Sequence, residues 1–306
     1  MIRNTINVIS GPGSEPDAQE SPAGEAVGVI GLGLLGSAIA DQLLENGYIV
    51  YGFDKKVRNA KNVILLSDST EVFIKCGTVV FSLPESRDVA RVISEVDGVL
   101  EKSRHTVVDT TTGNPDEMER FHELLKKRGV DYIEASIAGS SEATRRGEAP
   151  LFLGGETESI TRLQPLFKAI SKISFNIGAA GSASRFKLVH NLLLGLNRAV
   201  LAETLEFGKA LGFDARKTLD IMKETPASSY VMVSKGERMV DSYFDSPHAR
   251  LSQHLKDVRL ILNAAKSSGA YVPLSQMHCR LLEGLESDGF GELDNSAIVA
   301  AFQRTQ

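Results

Sequence analysis

Gly31-Leu32-Gly33-Leu34-Leu35-Gly36 is a GxGxxG, and Asp54 follows Gly31 by 23 residues. These residue types at this spacing suit the binding of a dinucleotide. The first glycine allows a tight turn out of a strand. The second lets a pyrophosphate reach the backbone, and the third lets a helix pack closely on the strand. The helix N-terminus offers free N–H groups and a partial positive charge to phosphates. An acid at the end of the next strand accepts hydrogen bonds from ribose hydroxyls.

The elements that must position these groups are present. Val27, Val29 and Ile30 form a short apolar run, which reads as a buried strand. Ala38, Ile39, Leu43 and Leu44 recur at helical spacing within Ser37 to Glu45. Gly47 stops that helix, and Tyr48 to Phe53 reads as the next strand. Beyond Asp54 the residues Lys55, Lys56, Arg58 and Lys61 could hold a 2′-phosphate. An acid at position 54 repels that group, so NAD is expected, with NADP as the alternative.

Further strands are expected at Val63–Leu66, Thr78–Leu83, Thr106–Asp109, Val130–Ala135, Pro150–Gly154 and Ile173–Ile177. Helices are expected at Arg87–Leu100, Pro115–Lys127 and Thr157–Lys172. Strands alternating with helices imply a Rossmann-type, doubly wound and mostly parallel sheet. From about Ser182 strand signals cease. Phe186, Val189, Leu193, Leu196, Val200, Leu205 and Phe207 mark one long bridging helix, followed by helices near 214–224, 250–267 and 273–286. The expected organisation is an N-terminal extension over 1–25, a dinucleotide-binding domain over 26–181 and an all-α domain over 182–306. Residues 1–25, rich in Pro, Gly, Ser and Glu, are expected to be disordered. The long helix is apolar round much of its girth, which suggests burial by another subunit in a homodimer or homotetramer.

Composition narrows the class. A formal net charge of −5 lacks the basic footprint of a nucleic-acid partner. No apolar run approaches the ~20 residues of a membrane span, so no membrane partner is expected. Two cysteines, Cys76 and Cys279, form no disulfide framework and suit a cytoplasmic protein. No His, Asp and Glu cluster has metal-ligand spacing, so no metal is expected.

Four ordered blocks over residues 26–290 resemble the β-hydroxyacid dehydrogenases. They are GLGLLGSAIADQLLENGYIVYGFD, ASIAGSS at 135–141, GAAGSASRFKLVHN at 178–191, and Lys256-Asp257 within LSQHLKDVRLILNAAKSSG. The resemblance implies that an NAD(P)-dependent enzyme moves hydride between nicotinamide and a small carboxylate-bearing 3-hydroxy acid. It places Lys187 at the catalytic lysine and Asn191 at the asparagine four residues on, in a cleft between the domains. Spacing i, i+4 sets both on one helix face, and an amine there can take the hydroxyl proton and return it. His190, His254 and His278 receive no catalytic role. Lys256 is implied to approach the cofactor, Thr112 the nicotinamide ribose, and Leu83 and Pro84 the loop over it. Ala138, Gly139, Ser140 and Ser141 fall on the substrate loop.

One departure stands out. The family's serine in that loop is Ala138 here, which removes a hydrogen bond of roughly 1.5–3 kcal/mol to a charged group. Either Ser140 or Ser141 compensates, or the substrate is atypical. Two alternatives share the scaffold. An imine reductase is disfavoured by the retained Lys187 and Asn191. A non-catalytic nucleotide-binding scaffold or sensor has only Ala138 in its favour.

Overall fold

A computed structural model describes residues 7–8, 24–57, 59–100 and 105–303. Arg58 and nearly all of the segment expected to be a disordered extension lie outside the described residues. The chain divides into two compact units, Met1–Lys187 and Leu188–Gln306.

The first unit contains, in chain order, strands β1 (Asn7–Val8), β2 (Ala26–Ile30), β3 (Ile49–Phe53), β4 (Ile64–Leu65), β5 (Thr78–Phe81), β6 (Thr106–Asp109), β7 (Asp131–Ile137), β8 (Leu151–Gly154) and β9 (Ser174–Gly178). Between them run helices α1 (Leu34–Glu45), α2 (Ser69–Lys75), α3 (Ser86–Glu95), α4 (Asp97–Leu100), α5 (Pro115–Lys126), α6 (Ser141–Arg145), α7 (Thr157–Arg162) and α8 (Gln164–Ile170). Among the described residues one sheet of nine strands forms, in the order β1-β9-β8-β7-β6-β5-β2-β3-β4. Pairing is parallel except at β7–β8 and β1–β9. Asn7 and Val8 pair with Asn176 and Phe175, an edge that composition did not suggest.

The central strands are continuous apolar runs because both faces are covered. Val27, Val29, Val80, Val108 and Ile133 enter one hydrophobic cluster, and Ile30, Val79, Phe81, Val107 and Tyr132 enter another. This alternation is the period of two that sends neighbouring side chains to opposite faces. From β2 the chain winds outward through β3 and β4, then returns to β5 on the other side of β2. Ligands of such sheets bind at this reversal, outside the carboxyl ends of the strands.

Three local features differ from expectation for identifiable reasons. The helix expected over 157–172 is two helices, broken at Leu163, because Pro165 cannot continue the hydrogen-bond ladder of the turn before it. The helix expected over 87–100 likewise breaks at Val96 into α3 and α4. Helix α2 was not anticipated, although Asp68 and Glu71 carry its signature. Asp68 Oδ1 accepts from Glu71 N (2.9 Å) as the N-cap, and Glu71 Oε2 reaches back to accept from Ser67 N (3.0 Å), one residue before it. Strand β8 runs antiparallel to β7, joined by a connection that holds only the five-residue α6.

Helix α9 (Ser182–Ala210) runs through the division between the units. The second unit continues with α10 (Ala215–Lys223), α11 (Tyr230–Val240), α12 (Leu251–Ser268) and α13 (Pro273–Ser287), then two 3-10 segments, Phe290–Glu292 and Asn295–Phe302. Its core joins Leu201, Leu205, Leu219, Met239, Leu255, Leu282 and Val299. A buried ion pair fastens its end: Asp294 accepts from Lys235 Nζ at 2.8 Å and from the backbone of His248 and Ser296. Burial would raise the Asp294 carboxyl, yet Lys235 and Ser296 outweigh it and hold it at about 2. Among the described residues no helix is long and apolar enough to cross a membrane.

Candidate active site

The turn from β2 into α1 is built by its glycines. Gly31 has φ +93°, and a Cβ there would lie 2.2 Å from Ser82 O, so the loops leaving β2 and β5 touch. A Cβ on Gly36 would lie 1.8 Å from Gly31 O, which is the close helix–strand approach. A Cβ on Gly33 would meet nothing within 4 Å. The protein itself therefore makes no steric demand at Gly33, and the open space lies at the N-terminus of α1. That is the cradle a pyrophosphate needs. Leu32 is buried, Leu35 packs on the first cluster, and Leu34 is exposed.

Asp54 follows β3 directly and reaches back to this turn. Its Oδ2 accepts from Leu32 N (2.8 Å), and its Oδ1 from Lys56 N (2.7 Å) and Val57 N (3.1 Å). Burial pushes its carboxyl up, but these backbone N–H groups outweigh burial and hold it below the usual carboxylate range. Lys55 extends from the same loop to within 3.7 Å of Glu95. The glycine turn, Asp54 and Lys55 thus gather at one place, and the donor and acceptor set fits a dinucleotide.

Beyond β5 and β6 two loops are stitched together. Leu83 N donates to Thr111 Oγ1 (3.2 Å), and Thr110 Oγ1 donates to Phe81 O (2.7 Å). Asp109 anchors them: its Oδ1 accepts from Thr111 N (2.8 Å) and its Oδ2 from Tyr132 OH (2.7 Å). Full burial raises the Asp109 carboxyl. Leu83 and Pro84 on one loop and half-buried Thr112 on the other are held in register by these bonds.

The small-residue loop after β7 is more committed than its sequence suggests. Ala138 donates its N–H to Pro150 O (2.8 Å), so an anion could meet the loop's N–H groups only from Gly139 onward. Ser140 caps α6, its Oγ accepting from Ala143 N (3.2 Å). Its hydroxyl proton is not consumed by that bond. Ser141 is half-buried in the first turn of α6.

Glu134 on β7 is the residue sequence reasoning missed in the first unit. It is 1% exposed and accepts from Gly181 N (2.6 Å) and from the Ser184 hydroxyl, at the start of α9. Burial raises its carboxyl to about 7, opposed by the bonds from Ser184 and Gly181. The readable signal was an acid in the middle of a mostly apolar strand. Lys187 lies one turn further along α9 and is 7% exposed.

In the second unit Asn191 is 6% exposed. Its Nδ2 donates to Asp257 Oδ2 (3.0 Å), and its Oδ1 faces His190 Nδ1 (3.1 Å). A carboxylate only accepts, so Asp257 fixes which end of the amide is which. The second hydrogen on Nδ2 can serve another acceptor. Asp257 Oδ1 meets Lys256 Nζ at 3.2 Å, which joins Lys256, Asp257 and Asn191 in one chain. Asp257 was legible only as the neighbour of Lys256. His254 and His278 stack at 5.2 Å against Gly195, deep in this unit. Among the described residues no group of three or more His, Cys, Asp or Glu side chains could hold a metal ion.

Comparison with known proteins supplies the family and the fold. Residues 26–181 match the family described as the NAD binding domain of 6-phosphogluconate dehydrogenase. Residues 181–302 match the NAD-binding domain of NADP-dependent 3-hydroxyisobutyrate dehydrogenase. The chain is 29% identical to 2-(hydroxymethyl)glutarate dehydrogenase of Eubacterium barkeri over 286 residues, 91% of this chain and 95% of that protein. It is 25% identical to 2-hydroxy-3-oxopropionate reductase of Escherichia coli, over 90% of this chain and 97% of that protein. The fold matches a crystal structure of 3-hydroxyisobutyrate dehydrogenase from Salmonella typhimurium with a TM-score of 0.82, at 22% identity, covering 91% of this chain and all of that one.

The two glycines should separate on substitution. Gly36→Ala forces a Cβ onto backbone and should lower unfolding stability by about 3 kcal/mol in urea titrations. Gly33→Ala should unfold within about 0.5 kcal/mol of wild type, yet lose about tenfold or more in dinucleotide affinity by calorimetry. Equal stability losses for both would contradict this division.

Proposed function

The chain belongs to the β-hydroxyacid dehydrogenase family, and on that premise we propose that it interconverts a short 3-hydroxy acid and the matching semialdehyde. It is an NAD(P)-dependent oxidoreductase. The observation that carries the reading is the burial of Lys187 and Asn191, 7% and 6% exposed, one turn apart along α9. Exposed lysines are ordinary; a lysine at this depth beside a buried amide needs a purpose.

Gly31, Leu32, Gly33, Leu34, Leu35 and Gly36 would hold the pyrophosphate at the head of α1, and Asp54 the adenosine ribose. The bound nicotinamide would exchange hydride with the alcohol carbon. Lys187 as an amine takes the proton from the substrate hydroxyl during oxidation. As an ammonium it returns that proton to the carbonyl oxygen during reduction. Asn191 offers its remaining Nδ2 hydrogen to the substrate, held in that orientation by Asp257. Leu83, Pro84 and Thr112 would line the ribose next to the nicotinamide, and Lys256 is a further cofactor-binding candidate. NAD is the preferred cofactor. Asp54 stays ionised and repels a 2′-phosphate, and Lys55 already faces Glu95.

Gly139, Ser140 and Ser141 would receive the substrate carboxylate. Ala138 offers neither a hydroxyl nor a free N–H there, so the substrate is atypical or Ser140 supplies the missing donor. Reduced-nicotinamide production over a panel of short 3-hydroxy acids, with NAD and NADP in parallel, tests this reading. At least one acid should turn over, with NAD favoured about tenfold. Ala138→Ser should raise kcat/KM on simple 3-hydroxy acids about tenfold, the equivalent of about 1.4 kcal/mol. No turnover on any acid contradicts the function, and an NADP preference overturns the cofactor choice.

The family-sized apolar face of α9 supports self-association. Val189, Leu193, Val200 and Phe207 are each about 60% exposed and follow spacings of four and seven along the helix, and Leu211, just past its end, is exposed to the same degree. Such a stripe suits pairing with a second copy of the chain. Sedimentation velocity should show a dimer or tetramer for wild type and a smaller species for Leu193→Asp with Phe207→Asp. A monomeric wild type would contradict the pairing.

A further inference from the structure

Helix α9 starts directly after a glycine, and its second turn carries the lysine that the proposed chemistry needs. Gly181, at φ +81°, leads into Ser182. Ser184, 3% exposed, and Lys187, 7% exposed, are three residues apart and so share a face. The group that receives both Gly181 N–H and the Ser184 hydroxyl is Glu134, on β7 beneath the helix start.

The site around this carboxylate is built for it. A Cβ on Gly154, in the neighbouring strand β8, would come 2.8 Å from Glu134 Oε2 and 3.0 Å from Ala183 N. Any larger residue at 154 would push carboxylate and helix apart. Asp109 pairs with Glu134 across β6 and β7, and both side chains stand on the same face of the sheet. Two acids in adjacent strands is a costly arrangement for packing alone, because a buried carboxylate without donors is strongly disfavoured. Each is satisfied by the loop it holds: Asp109 by Thr111 N–H, Glu134 by the first turn of α9. A carboxylate at a helix N-terminus is also favoured by the helix dipole.

We propose that Glu134 is a positioning residue for the reaction: by gripping Gly181 N–H and the Ser184 hydroxyl it fixes the rotation and height of the first turn of α9, and with them the aim of Lys187. Glu134 touches neither substrate nor cofactor in this role. The inference rests on the reading of Lys187 as the proton carrier.

Two variants separate hydrogen bonding from charge. Glutamine can accept from Gly181 N–H through its oxygen and donate to Ser184 Oγ, since a serine hydroxyl both gives and takes. Alanine can do neither. Glu134→Ala should lower kcat about a hundredfold, the cost of a small misplacement of a reacting group, with NADH affinity within about twofold of wild type. Glu134→Gln should recover most of that loss, to within about fivefold of wild type, and Ser184→Ala should fall between the two. Hydrogen exchange supplies a readout independent of turnover. Amides of 182–187 should exchange about tenfold or more faster in Glu134→Ala and near the wild-type rate in Glu134→Gln.

The proposal is overturned if Glu134→Ala folds, binds NADH and keeps kcat within about threefold. It is equally overturned if Glu134→Gln loses as much kcat as alanine, since charge rather than position would then be the cause. If Glu134→Ala does not fold, Ser184→Ala and Glu134→Gln decide it by the same two readouts. Wild type without turnover on any hydroxy acid defeats the functional reading instead. In that case the exchange rates alone still report whether Glu134 holds the turn, and unchanged rates in every variant would defeat that too.

Discussion

Backbone N–H groups left over at the carboxyl edge of the sheet are taken up by carboxylates, and the geometry of the proposed site depends on that exchange. Asp54 accepts from Leu32, Asp109 from Thr111, and Glu134 from Gly181. Each donor belongs to a loop that no ladder can satisfy, because the strands have ended. Each bond carries the charge assistance that makes such contacts stronger than neutral ones. Losing an acceptor would strand a buried donor at a cost of about 1–3 kcal/mol. The direction of each pKa follows from how much burial each acid must overcome. Half-exposed Asp54, with three backbone donors, is held low; Asp109 and Glu134, nearly sealed, are pushed up. The same edge is where the winding reverses between β2 and β5, so the loops needing support are those that face a ligand.

In the helical unit the analogous constraint is the orientation of one amide. Asn191 could present either its oxygen or its nitrogen, and a reaction that needs a donor fails with the wrong choice. Asp257 settles the matter because an ionised carboxylate has nothing to donate. Lys256, on the other oxygen of Asp257, ties the cofactor-facing candidate of α12 to the same chain of bonds. His190, which sequence reasoning left without a role, meets the Asn191 oxygen and so helps hold the amide in that orientation.

Much of this was readable in the chain because local rules and fold agree. The glycines of 31–36, the apolar runs of β2, β5 and β6, and the helix start at Pro115 each carry a local cause that the tertiary structure does not override. What escaped reading was decided at a distance. No pattern within ASIAGSS says that Ala138 N–H is spent on Pro150, 12 residues away and just before the next strand. Nothing near Glu134 says that its partners are Gly181 and Ser184, since the contact exists only once β7 and the start of α9 meet. Pro165 and the Asp68–Glu71 cap were local signals and could have been read.

The central claim is that Lys187 moves the proton. Steady-state turnover of Lys187→Ala, with NADH affinity measured on the same preparation, tests it most directly. The account predicts that kcat falls about a thousandfold, within the range that general acid–base groups contribute. Cofactor affinity should stay within about twofold, and a small primary amine added to the buffer should restore part of the rate. A Lys187→Ala enzyme that binds NADH and turns over within about tenfold of wild type would contradict it.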